Sequence, residues 1–206
     1  NNGTYHYLRD TVLPTLNLGK HRSDAGLHRD PETREKFRES MEKTVLALER
    51  HPCVCYWTIF NEGWGQFDSQ SQYESLKALD SSRFVDTASG WFACAASDVE
   101  SLHVYFCPVR LKSSRKPQVV SEFGGYTWKE PGHIFNPEKS YGYRSFRDKQ
   151  AFMDALEMLY REQILPANYT QLSDVEDELN GLLTYDRAVC KVDPVRMREI
   201  GKLLQD

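Results

Sequence analysis

The sequence predicts an α/β fold with parallel strands arranged as a barrel, and three observations carry that expectation. Apolar runs such as Cys53–Phe60 and Val119–Phe123 are continuous rather than alternating, as in strands covered on both faces. Stretches of helical periodicity separate the runs, giving the strand–helix alternation of βαβ units. The runs CVCYWTIFNEGWG and PQVVSEFGG each end in a carboxylate with a glycine close behind, Glu62 with Gly63 and Glu122 with Gly124. Carboxylates at the C-terminal ends of parallel barrel strands face one common mouth.

Taken in order, Asn1 to Leu18 reads as a loop with one short helix, and Gly19 to Arg29 as a polar, basic loop. Asp30-Pro31-Glu32 opens a helix, with Asp30 as N-cap, Pro31 at the first helical position and acids in the first turn. Phe37, Met41, Val45 and Leu48 share one face. His51-Pro52 ends the helix, because a residue before proline is pushed out of the helical region. The strand Cys53–Phe60 follows, then a Gly- and Gln-rich loop and a helix over Ser69–Leu79 with Tyr73, Leu76 and Leu79 inward. Further strands are expected at Arg83–Thr87, Ser101–Phe106, Val119–Phe123 and Asn168–Leu172. An aromatic loop from Tyr126 to Phe146 precedes an amphipathic helix, Asp148–Ile164, and the chain closes in a helix after Pro194. There is no internal repeat and no Gly-rich phosphate loop.

With 206 residues, 40% hydrophobic and 27% charged, the chain is globular and long enough for one sizeable core. A net charge of -4 gives no reason to expect nucleic acid or an anionic membrane surface as partner. No apolar stretch approaches the roughly 18 residues needed to span a bilayer. The 5 cysteines are Cys53, Cys55, Cys94, Cys107 and Cys190. Cys53-x-Cys55 has strand period and not the spacing of a zinc or redox pair, so buried, reduced thiols and a cytoplasmic location are expected. No signal peptide is visible at Asn1.

Two carboxylates facing one cleft are the minimum apparatus for cleaving a glycosidic bond. A general acid has to hold a proton at working pH, and burial among rings such as Trp57 and Trp64 favours that form. Asn61, beside Glu62, could hydrogen-bond a sugar hydroxyl, and an ionised Glu122 could attack the anomeric carbon. His103 and Tyr105 alternate along SLHVYF and share a face, from which they could meet substrate or orient Glu122; packing alone is the plainer alternative. Trp64, Trp91, Tyr126 and Trp128 follow strands, and such rings make stacking surfaces for sugars. Trp91 and Trp128 are the candidates carried forward. The acidic run Asp174 to Glu178 lacks calcium-loop spacing and reads as a solvated or arginine-paired rim. No histidine pair has metal-ligand spacing, so neither a catalytic metal nor any cofactor is expected.

HPCVCYWTIFNEGWG and VVSEFGG resemble the catalytic barrel of glycoside hydrolase family 2, the β-galactosidases, β-glucuronidases and β-mannosidases. SLHVYF is similar to that barrel's sixth strand, and NYTQLSDVEDELNGLLTYDR to its eighth strand and loop. The resemblance implies Glu62 as general acid/base, Asn61 at the sugar 2-hydroxyl and Glu122 as nucleophile of a retaining exo-β-glycosidase acting on a carbohydrate substrate. It covers the C-terminal part of a (β/α)8 TIM barrel, about strands four to eight. Residues 1–206 are therefore expected to form one partial barrel domain, without the preceding sandwich domains and first strands. Asn180-Gly181-Leu182 stands where β-glucuronidases carry Asn-x-Lys, so glucuronide specificity is not implied. The connection before Asn168 is short for the family, so an abnormal start to the last strand is expected. An open barrel seam favours self-association. The rival expectation is a non-catalytic carbohydrate-binding or structural half-barrel, and a third is an inverting glycosidase.

Overall fold

A computed structural model describes residues 24, 28–62, 65–90, 95–106, 109, 111, 113–161 and 167–202. The chain forms two compact units, residues 1–102 with 113–119 and residues 103–112 with 120–206. Among the described residues the order is α1 (Pro31–Leu48), β1 (Tyr56–Asn61), α2 (Ser69–Leu79), β2 (Phe84–Ser89), β3 (Glu100–Val104), β4 (Gln118–Gly124), β5 (Tyr126–Thr127), β6 (Arg144–Ser145), α3 (Lys149–Arg161), β7 (Ala167–Thr170) and α4 (Pro194–Lys202). The sheets are β1-β2, β3-β4-β7 and β5-β6.

In the first unit, Asp30 caps α1 as expected, its carboxylate accepting from the Glu32 and Thr33 amides at 3.3 and 3.1 Å. Val45 is the fully buried knob of α1, and it meets Trp57, Leu76 and Val85, with Met41 packed alongside. Leu48, expected on that face, is 40% exposed, because the helix ends there. β1 and β2 pair in parallel, Tyr56 opposite Phe84 through to Asn61 opposite Ser89. β2 is buried at every position but its first. Phe37 stacks on Phe60 at 5.2 Å, with Phe67 edge-on to both, closing a second cluster.

One residue ties these elements together. Arg83, just before β2, donates to the carbonyls of Glu49, His51 and Val54 at 2.6, 3.2 and 2.7 Å. It thus brings a cation to the C-terminal end of α1, the sign the helix dipole favours, and ties that end to the connection leading into β1. Its other nitrogen reaches Asp80 at 2.6 Å. Asp80 is buried and also accepts from the Trp57 indole, the Ser82 hydroxyl and the Ser82 amide.

The second unit packs α3 through Phe152, Met153 and Leu156 against Val192, flanked by Tyr126, Trp128, Phe146, Tyr160 and Tyr169. β4 and β7 are parallel, and their register shifts between Val120 and Phe123. The extra residue lies in β4, three steps there matching two on β7, and the connection before β7 is outside the described residues. α4 is clamped to α3 by Arg196, which donates to Glu157 and Asp154 at 2.6 and 2.7 Å.

Two expectations are corrected. Cys53, Cys55 and Cys190 are exposed, not buried. β1 begins only at Tyr56, so Cys53 and Cys55 lie in the connection after α1, where the Cys55 thiol bonds the Cys53 carbonyl at 3.4 Å. The acidic run is not a solvated rim at its first residue. Asp174 is buried and paired at 2.7 Å with Lys191, whose side chain is fully enclosed. The ammonium also donates to the carbonyls of Leu179 and Trp128 at 3.0 and 3.1 Å. Burial lowers the Lys191 pKa, and these acceptors are what make a charged lysine tolerable there.

Candidate functional site

Each unit carries one of the two predicted carboxylates. In the first, Asn61 closes β1 opposite Ser89. The Ser89 hydroxyl donates to Asn61 Oδ1 at 2.8 Å, and the Glu62 amide donates to the Ser89 carbonyl at 2.9 Å. With the amide oxygen so engaged, the NH2 group of this exposed asparagine is oriented as a donor. Glu62 itself has φ +53°, the left-handed region. A non-glycine residue there costs roughly 1–3 kcal/mol and is held only by surrounding bonds. The ladder bond of its own N–H to β2 supplies one. Trp57, expected beside this carboxylate, is buried in the α1–α2 cluster with its indole on Asp80. Packing of the helix layer takes that ring, since successive strand residues point to opposite faces.

In the second unit Glu122 sits on β4 and is the centre of a bonded group. The Tyr105 hydroxyl donates a short hydrogen bond to Glu122 Oε2. His103 Nδ1 lies 3.4 Å from the same oxygen, and its side chain is wholly enclosed. Tyr105 also reaches Thr170 Oγ1, at the end of β7, at 3.5 Å. Burial, and then the bond to Glu122, raise the Tyr105 pKa far above that of an ordinary phenol, so its hydroxyl stays a donor at any working pH. The shared face expected of His103 and Tyr105 is thus seen.

The glycines after Glu122 have a steric explanation. Gly124 has φ +94° and Gly125 φ +62°. A Cβ at Gly124 would enter the Tyr169 ring, and one at Gly125 would enter the Tyr143 ring and touch Tyr105. Side chains are excluded here both by backbone conformation and by space. The opening lets Tyr143 stack on Tyr105, centroids 4.0 Å apart and planes within 6°.

Trp91 and Trp64 lie outside the described residues. Trp128 packs with the α3 cluster, its indole donating to Glu130 at 2.9 Å. Tyr126 joins the same cluster, under the Arg144 guanidinium. Asn180 is fully buried, bonded to Gln171 and Glu178 at 2.8 and 3.0 Å. Sequence reasoning passed over Thr170 and Tyr143. Thr170 had a usable signal, a polar residue at the end of a parallel strand, as Asn61 and Glu122 are. Tyr143 had none, being one ring among several in a long loop. No helix is long and apolar enough to cross a membrane among the described residues.

No curated protein matches the chain. Residues 11–187 match the family described as glycosyl hydrolases family 2, TIM barrel domain. Family 2 proteins hydrolyse glycosidic bonds, and the match takes in Glu62, Glu122 and the groups bonded to them. This chain belongs to glycoside hydrolase family 2, through its TIM barrel domain.

Proposed function

We propose that the chain supplies the catalytic machinery of a retaining exo-β-glycosidase, as about strands four to eight of the barrel, with Glu122 as nucleophile and Glu62 as general acid/base. The observation that carries this reading is the grip on Glu122. A donor hydroxyl and a buried imidazole both address Oε2, which leaves the reaction to the other oxygen and supports a negative charge before attack. Charge leaves the carboxylate as the bond to the anomeric carbon forms, and the Tyr105 proton stays with Tyr105 throughout.

In the first step Glu122 attacks the anomeric carbon, the bond to the leaving oxygen breaks, and Glu62 gives its proton to that oxygen, releasing an alcohol. The sugar is then an ester of Glu122. In the second step ionised Glu62 takes a proton from water, the hydroxide oxygen bonds to the anomeric carbon, and Glu122 leaves as carboxylate. Two inversions give net retention. On this reading Asn61 donates to the sugar 2-hydroxyl, a contact that strengthens as charge develops. Retention requires the two carboxyl groups to stand about 5 to 5.5 Å apart, an inverting enzyme about 6.5 to 9.5 Å.

The test is hydrolysis of p-nitrophenyl β-galactoside, glucoside, glucuronide and mannoside by the chain and by Glu122→Gln. Turnover of one sugar with β product formed first, and at least a ~1000-fold loss in the variant, is expected. Saturable binding with no turnover on any sugar would replace this reading by a carbohydrate-binding half-barrel.

A further inference from the structure

The Tyr105 hydroxyl has two acceptors within reach, and the plane of its ring decides between them. It stands against Glu122 Oε2 and 3.5 Å from Thr170 Oγ1. The hydroxyl oxygen lies on the axis about which the ring turns, so turning the ring leaves the oxygen in place. The proton does move, because a phenol O–H keeps to the ring plane, where the oxygen lone pair conjugates with the ring. Whatever holds that plane aims the donor.

We infer that Tyr143 is a positioning residue for the reaction: its ring fixes the plane of Tyr105 and so points the phenol proton at Glu122. The inference rests on the glycosidase reading of Glu122. The two rings are 4.0 Å apart and within 6° of parallel, so a turn of Tyr105 about its own axis would drive an edge into Tyr143. Tyr143 is itself held through its backbone. Its amide donates to the Gly125 carbonyl at 3.1 Å, and Gly125 has no Cβ to bar either ring. On one flank the Tyr141 amide donates to the Asp177 carbonyl at 2.8 Å, and the Tyr141 carbonyl accepts from the Leu179 amide at 2.9 Å. On the other, Arg144 and Ser145 pair with Tyr126 and Thr127 as β6 and β5. Phe106 adds an edge-on ring contact at 5.3 Å. With its backbone fastened on both flanks, Tyr143 is a stop against which Tyr105 rests.

The experiment joins aryl glycoside kinetics to nuclear magnetic resonance of isotope-labelled tyrosine rings, the Tyr105 signals being those missing from Tyr105→Phe. In the unmutated chain the two edges of the Tyr105 ring should give separate signals, because a held plane flips slowly. Tyr143→Leu keeps apolar bulk and removes the flat face. It should merge the edge signals, shift the signal of the hydroxyl-bearing carbon, and lower kcat about two- to tenfold with KM little changed, the range one aromatic stack accounts for. Tyr143→Phe keeps the face and should restore all three readouts. In the Tyr105→Phe background no phenol proton remains to aim, so Tyr143→Leu should lower kcat no further. Averaged edge signals in the unmutated chain overturn the inference whether or not any variant folds. So do Tyr105 signals unmoved by Tyr143→Leu, or losses that multiply in the double variant, since the ring would then only pack. If the spectra behave as expected while the unmutated chain hydrolyses none of the aryl glycosides, the positioning stands and the catalytic reading falls.

Discussion

Tyr105 is the residue on which the proposed chemistry turns, and its ring and hydroxyl do separable things. The ring is stacked on Tyr143 and stays so in Tyr105→Phe, which removes only the donor to Glu122. A hydrogen bond to a charged group contributes about 1.5–3 kcal/mol, so kcat should fall about ten- to hundredfold with KM little changed. The melting temperature should hold, since the Phe ring keeps the stacking. A fall in stability with kcat unaltered would show Tyr105 to be a packing residue and nothing more. At this scale the sequence was most legible where a chemically capable residue stood at a strand end, as Asn61, Glu62 and Glu122 do. It was least legible for aromatics. Trp128 and Tyr143 occupy one loop and look alike as text, yet the first packs on α3 and the second stacks beside Glu122. Which face a loop ring meets depends on glycine geometry at Gly124 and Gly125, and only the fold reveals that.

At the scale of elements, capping and periodicity located the helices α1 and α2 well, and five of the seven described strands to within a few residues; β5 and β6 pair inside the stretch expected as one aromatic loop, two residues each being too short to show a strand period. What they did not show was how α1, β1 and β2 are fastened together. Nothing local marks Arg83 as the donor to three carbonyls of the α1–β1 connection, or Asp80 as its buried counter-ion. The Ser82 hydroxyl, then the Trp57 indole and the Arg83 guanidinium, hold the Asp80 carboxyl far below its ordinary range against the opposing effect of burial. A carboxylate depressed in the folded state stabilises above its unfolded pKa of 3.8, and that stabilisation drains away as pH falls through the folded value. Unfolding free energy should therefore fall with pH below about 4, and continue to fall past the range where ordinary carboxylates have titrated. In Asp80→Asn that acid slope should flatten. Stability near neutrality should drop by about 3–5 kcal/mol, because Arg83 loses its buried partner. Urea titrations read by tryptophan fluorescence between pH 2 and 7 would measure both. An acid slope unchanged in the variant would mean that other carboxylates govern it.

At the scale of the molecule, the family is a barrel of eight strands, while the described residues place β1 in a ladder with β2 alone. Large apolar groups are exposed in the first unit, Phe84 at 55% and Leu46 at 51%. We propose that the chain self-associates through these apolar groups, which a second chain would take out of water. Sedimentation velocity should show a weight-average mass rising above 23.9 kDa with concentration. The association should resist added salt, as apolar burial does and surface ion pairs do not. Leu46→Lys and Phe84→Lys together should shift the chain toward monomer without lowering its melting temperature, as both side chains lie outside the core. A chain that is monomeric at every concentration, or that associates equally well with both lysines, would remove these groups as the contact.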